Sequence, residues 1–138
     1  MKIYRLLSVV IALSMSVFVL RAQDQGPQTP EQKEKQLLEF VDKEVQRLSN
    51  LLDLEYWQEF YVDSTLTHDY KALTEEMEQM QTAKVENPDL YQSVQDKWMQ
   101  QIDNTYKKYF SKEQWSKYWK TGGRRAQEAR DKRNKKKK

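Results

Sequence analysis

Cysteine is absent from all 138 residues. No disulfide can staple this chain, so a folded domain must be held by packing alone. The same absence removes the lipid-modified cysteine that would tether an exported chain just behind its leader. Histidine occurs once, at His68, and this argues against a zinc site. Glycine and proline number three each, and none lies between Glu31 and Asn87. That long interval holds no glycine-rich phosphate loop and no strained nucleophile turn. No Asn-x-Ser/Thr sequon is present, and no calcium-loop spacing is visible. Valine, isoleucine and the aromatics never alternate with period two, so no strand pattern emerges. These absences fit a small protein of the bacterial envelope and argue against an enzyme or a cofactor-binding domain.

The one long apolar run lies at the start. Lys2 and Arg5 precede an uncharged stretch from Leu6 to Leu20, and Arg21-Ala22 leads into the polar Gln23–Pro27. This is the layout of a secretory signal peptide over residues 1–22, with cleavage near Ala22. Residues 23–29 then read as a linker, and the mature chain is expected to be periplasmic or secreted. The alternative is retention as a single-pass anchor. Against it, the run is 15 residues long and diluted by Ser8, Ser14 and Ser16. A span needs roughly 20 predominantly apolar residues.

The net charge of +3 conceals a segregation. Residues 124–138 carry nine Lys or Arg against Glu128 and Asp131, whereas residues 23–123 carry 12 basic and 19 acidic side chains. An acidic body thus bears a basic tail. The tail reads as a solvated terminus, as a contact for anionic lipid or cell-surface polysaccharide, or as a segment that folds back on the body. Its candidate polyanion-binding residues are Arg124, Arg125, Arg130, Lys132, Arg133, Lys135, Lys136, Lys137 and Lys138. Export argues against nucleic acid as the target.

The body, residues 30–123, reads as all-α: antiparallel helical hairpins or a small bundle. Leu37, Val41, Val45, Leu48 and Leu52 keep helical spacing. So do Leu66, Tyr70, Leu73, Met77 and Met80, and again Tyr91, Val94, Trp98, Ile102, Tyr106 and Tyr109. Helices are expected near 30–48, 51–62, 66–86, 88–109 and 112–120, with breaks at Ser49-Asn50 and Asp63-Ser64-Thr65, where polar side chains compete for the backbone. Thr29-Pro30-Glu31-Gln32 and Ser111-Lys112-Glu113-Gln114 read as capping boxes, and Asn87-Pro88-Asp89 as a third helix start. Phe110 and Trp115 occupy the two positions of a hydrophobic staple, and Gly122 can close the short helix in a left-handed cap.

Few residues suggest chemistry. Ser64 and His68 share a helix face beside Asp69, but no oxyanion-hole signature accompanies them, and a solvated polar cluster is the simpler reading. Glu75, Glu76 and Glu78 with Asp69 read as a solvated acidic face. The aromatics are more informative. They gather at Tyr56, Trp57, Phe60 and Tyr61, and from Tyr106 to Trp119. Large rings are natural core for a chain without disulfides. Adjacent pairs such as Tyr56-Trp57 and Phe60-Tyr61 diverge on a helix, however, so some aromatic surface should remain exposed, as at a partner site. Trp57, Phe60, Met77, Met80 and Trp98 are the candidate protein-binding residues.

Two stretches carry a family resemblance. Thr29-Pro30-Glu31-Gln32 resembles the Leu-Thr-Pro-Glu-Gln form of the motif found at helix starts in small periplasmic proteins of the Spy and CpxP type, with Gln28 in place of the leucine. Phe110-Ser111-Lys112-Glu113-Gln114 is similar, with Phe for Leu and Ser for Thr. The resemblance implies an all-helical, ATP-independent chaperone or partner of envelope-stress sensing, working as a cradle-shaped homodimer on unfolded or envelope protein. The chain departs from that family in its richer aromatics and acidic body. It also resembles other small exported proteins of Gram-negative bacteria, from which no activity transfers. The expected function is therefore an exported, non-enzymatic helical binding protein. The alternative is an adaptor that holds anionic surfaces through its tail.

Overall fold

The computed structural model describes residues 28–136. The expected leader at 1–22, most of the 23–29 linker, and Lys137 and Lys138 lie outside them. Every regular element among the described residues is helical.

The first helix, α1 (Pro30–Leu52), starts at the expected capping box. The Thr29 amide donates to Gln32 Oε1 at 2.9 Å, and the Gln32 amide to Thr29 Oγ1 at 3.3 Å. The chain divides into two units after Glu34, and the second, from Lys35, holds the core. The expected break at Ser49-Asn50 does not occur, because the Ser49 hydroxyl donates to Glu59 of the next helix instead of competing for its own backbone. The break falls at Asp53, whose φ of 54° is left-handed. The amides of Asp53 and Leu54 both donate to the Ser49 carbonyl, at 2.8 and 3.4 Å. This is a Schellman-type stop, and it turns Leu54 into the core.

The second helix, α2 (Tyr56–Thr82), runs unbroken through Asp63-Ser64-Thr65, correcting the second expected break. Val62 and Leu66, each 1% exposed, bracket those polar residues and hold that turn against the core, while Asp63 and Ser64 face solvent. Packing overrides a weak local preference here. Lys84, with φ 54°, repeats the left-handed stop, and the Val85 amide donates to the Met80 carbonyl at 3.0 Å.

Asn87 caps α3 (Pro88–Tyr109) by accepting the Asp89 amide at 2.9 Å. Ser111 and Gln114 form the expected second box at the start of α4 (Lys112–Tyr118). The expected left-handed cap at Gly122 takes a different form. Residues Trp119–Gly123 make a π-helical turn, with Gly122 at φ 153°, and the chain passes directly into α5 (Arg124–Lys135). Only a residue without Cβ holds that φ cheaply.

Helices α1 and α2 are antiparallel, with Phe40 against Tyr70 and Ser49 against Glu59. Helix α3 returns along α2, pairing Tyr109 with Gln58 and Lys97 with Glu76. The core joins Val41, Leu48, Leu52, Leu54, Val62, Leu66, Ile102, Tyr106 and Phe110. Each large apolar side chain so buried contributes about 1.5–3 kcal/mol. Trp115 and Tyr118 of α4, half-buried, pack against it, so that much of the C-terminal aromatic cluster joins Tyr106 and Phe110 in or on the core.

Candidate protein-binding surface

Among the described residues, four of the six exposed large hydrophobic side chains fall between Tyr56 and Tyr61; Leu38 and Leu90 are the others. At about 100° per residue, Tyr56, Phe60, Trp57 and Tyr61 cover an arc of roughly 140° on α2. Gln58 and Val62, both buried, occupy the opposite arc. The helix start is thus aromatic outside and core-bound inside. The exposures are 86% for Tyr56, 62% for Phe60, 46% for Trp57 and 42% for Tyr61.

The rings form a connected set. Tyr61 meets Trp57 and Phe60 edge-on, with centroids 6.2 and 5.7 Å away, and stacks on Tyr109 of α3 at 4.5 Å. Trp57 Nε1 donates to Glu55 at 2.8 Å. Lys108 Nζ lies 5.3 Å from the Tyr109 ring and marks one rim. The turn beneath is fixed by two capping glutamines. Gln58 Oε1 accepts the Glu55 amide at 2.9 Å, while Gln58 Nε2 reaches the Tyr109 carbonyl at 3.0 Å and Gln114 Oε1 at 2.7 Å. A rigid base under exposed rings reduces the entropy that a partner must overcome.

The five candidate protein-binding residues do not share one site. Trp57 and Phe60 belong to the exposed cluster. Met77 and Met80 are half-buried, about 25 Å or more further along α2. Trp98 is half-buried on α3, its Nε1 donating to Glu76 Oε2 at 2.7 Å. Hydrogen bonds from Lys97 and Trp98 hold the Glu76 carboxyl below its usual range. Tyr61 and Tyr109 complete the cluster. Adjacent aromatic pairs signalled Tyr61, whereas nothing local signalled that Tyr109 would stack on it.

The tail residues divide by direction. Arg130 is buried and pairs with buried Asp103, which also accepts the Tyr118 hydroxyl at 2.5 Å. Arg133 makes a two-pronged contact with Asp96, at 2.7 Å on each oxygen. Burial pushes the Asp96 carboxyl up, but the bonds from Arg133 and Gln92 outweigh it and leave the group below its ordinary range. Burial, then the charge of Asp103, drive the Tyr118 phenol far upward. Two of the nine candidate polyanion-binding residues therefore face inward, as in the folding-back reading. Arg124, Arg125, Lys132, Lys135 and Lys136 remain exposed.

His68 is exposed, with Nδ1 2.8 Å from Asp69, and Ser64 faces solvent. Among the described residues, no three His, Cys, Asp or Glu side chains gather to hold a metal ion. None of the described helices is long and apolar enough to cross a membrane. No family model matches this sequence, and no curated protein or solved structure matches it either.

Proposed function

We propose that this chain is an exported, non-enzymatic helical binding protein of the bacterial envelope. It holds unfolded or partner protein on the aromatic face of α2 and acts without ATP, as a chaperone or as a partner in stress sensing. The observation that carries this reading is the exposed set of Tyr56, Trp57, Phe60 and Tyr61 at one rigid helix start. Isolated exposed apolar residues are ordinary, but a contiguous aromatic patch marks an interaction surface. Aromatic side chains are also those that carry most interface energy.

The test is suppression of client aggregation by residues 23–138, compared with the Trp57→Ser/Phe60→Ser variant. Both side chains are exposed, so the fold should tolerate their loss. Suppression by the parent at severalfold excess and its loss in the variant support the reading. No suppression, or equal suppression by both, defeats it.

The adaptor alternative draws on the exposed cations of α5. Deleting residues 124–138 is a poor test of it, because deletion strips Asp103 of its buried partner. Replacing Arg124, Arg125, Lys132 and Lys135 by Gln should abolish salt-sensitive binding to anionic vesicles if the adaptor reading holds.

A further inference from the structure

We infer that the partner of the aromatic face is a cationic, apolar polypeptide segment, bound where exposed rings and unopposed carboxylates alternate. The inference rests on the reading of that face as a protein-binding surface, and adds the sign of what it takes. From Leu48 to Tyr70 the chain contains no Lys or Arg, yet it holds Asp53, Glu55, Glu59, Asp63 and Asp69. Asp69 is buried; Asp53, Glu55 and Asp63 are exposed. Asp63 lies one turn from Phe60 on the same face, and Glu55 is tied to Trp57 through its indole.

The start of a helix is a positive end, which on its own disfavours a cation. Glu55 and Glu59 in and before the first turn offset it. Lysine already meets rings on the neighbouring rim, where Lys108 sits over Tyr109 and Lys107 lies 5.9 Å from the Trp115 ring. Those contacts belong to α3; the α2 side of the face has only carboxylates. An arriving Lys or Arg meets ring faces and unpaired negative charge together. An acidic segment meets repulsion.

Three labelled peptides of equal length, with the same Leu and Trp residues and either Lys, Gln or Glu between them, separate the possibilities by fluorescence anisotropy. With residues 23–138, the Lys peptide should bind about 10-fold tighter than the Gln peptide, and the Glu peptide weaker than both. The preference should shrink at about 0.5 M salt, where the Debye length is below about 5 Å. Glu55→Gln/Asp63→Asn should erase it while keeping Gln-peptide binding, since Gln retains an acceptor for the Trp57 indole. Trp57→Ser/Phe60→Ser should weaken all three.

Equal binding of the three peptides, lost with the rings, overturns the charge inference and leaves the face as a binding surface. No binding of any peptide, or binding unaffected by losing the rings, overturns both. A Lys preference that survives Glu55→Gln/Asp63→Asn overturns the inference, because the cation is then read elsewhere. Self-association reversed by deleting Lys135–Lys138 also overturns it, by making a second copy the occupant.

Discussion

An Arg130→Ala variant should release α5 while leaving α1 to α3 folded. The Arg130 and Asp103 side chains are only 6% and 7% exposed. Removing one member of so buried a pair, with everything else in place, costs about 3–5 kcal/mol. The cost can be avoided if α5 lifts away and Asp103 becomes hydrated. Little opposes that movement. Arg130 is the one buried residue among the 12 of α5, and the helix offers no buried apolar side chain. Its other anchor, Arg133 to Asp96, is 38% exposed on the arginine side and is worth about 1 kcal/mol after solvent screening. A free helix of this length is marginal in water, so release also means melting. Amide hydrogen exchange should show protection across residues 124–135 falling by about 100-fold or more, at about 1.4 kcal/mol per decade. Protection around Val62, Leu66 and Ile102 should be unchanged. The control is Arg130→Met/Asp103→Leu/Tyr118→Phe, which removes both charges and the hydroxyl that donates to Asp103 while keeping similar side-chain shapes; it should hold α5 as well as the parent or better. Undiminished protection of α5 in Arg130→Ala would refute the claim that the buried pair holds the helix.

The bond between Arg133 and Asp96 sets an acid limit. The folded carboxyl lies below its ordinary 3.8, so its contribution is complete above that value and is lost as pH falls through the lower folded one. Far-UV circular dichroism should therefore decline below about pH 4, and a decline of equal size in Arg133→Gln would contradict this. At the alkaline end, burial pushes the Tyr70 phenol up to about 12 and Tyr106 well above 10, so stability is full below 10 and falls as pH rises beyond it. The buried Tyr106 hydroxyl has no hydrogen-bond partner among the described residues. Tyr106→Phe should raise stability by about 1 kcal/mol in urea titration and flatten the alkaline loss; destabilisation by more than that would refute the account. Lys84→Gly relieves an exposed left-handed residue and should raise the melting temperature by a few degrees, worth about 1 kcal/mol. A lowered melting temperature would mean that the lysine side chain does unseen work there.

Three helix starts and the apolar spacing were legible in the residues because both are local; the start of α2 at Tyr56, behind Glu55 and Gln58, was not, since helices were expected near 51–62 and 66–86. Thr29, Asn87 and Ser111 all cap as their neighbours suggest, and Val41, Leu48 and Leu52 sit on the buried face that their spacing defines. Helix stops were less legible. Asp53 and Lys84 take a left-handed conformation usually reserved for glycine, so no residue type announced either turn. Asp63-Ser64-Thr65 announced one that packing by Val62 and Leu66 overrules. The aromatic face was half legible. Neighbouring rings on a helix must diverge, which required some of Tyr56, Trp57, Phe60 and Tyr61 to leave the core. That all four left depended on where α3 and α4 came to rest.

The destination of the basic tail depended on the same distant packing, yet it had left a trace. Along α3 and its C-cap, the residues Asp96, Met99, Asp103, Tyr106 and Phe110 keep three-four spacing, and all are buried or half-buried. An apolar stripe interrupted twice by aspartate asks for cations, since a buried carboxylate without a partner is too costly to keep. Arg130 and Arg133 lie three apart on α5, so they share a face. Running antiparallel to α3, that face brings Arg130 to Asp103 and Arg133 to Asp96. Charge totals by segment could show that an acidic body and a basic tail complement each other. Only the periodicity of the two aspartates within the stripe distinguishes the cations that are consumed internally from those that stay on the surface. The charge at the start of α2 has no such internal answer, because neither Asp53 nor Asp63 lies on a buried stripe. Among the described residues neither makes an ion pair, and a cationic partner segment, as inferred for the aromatic face, would complement them.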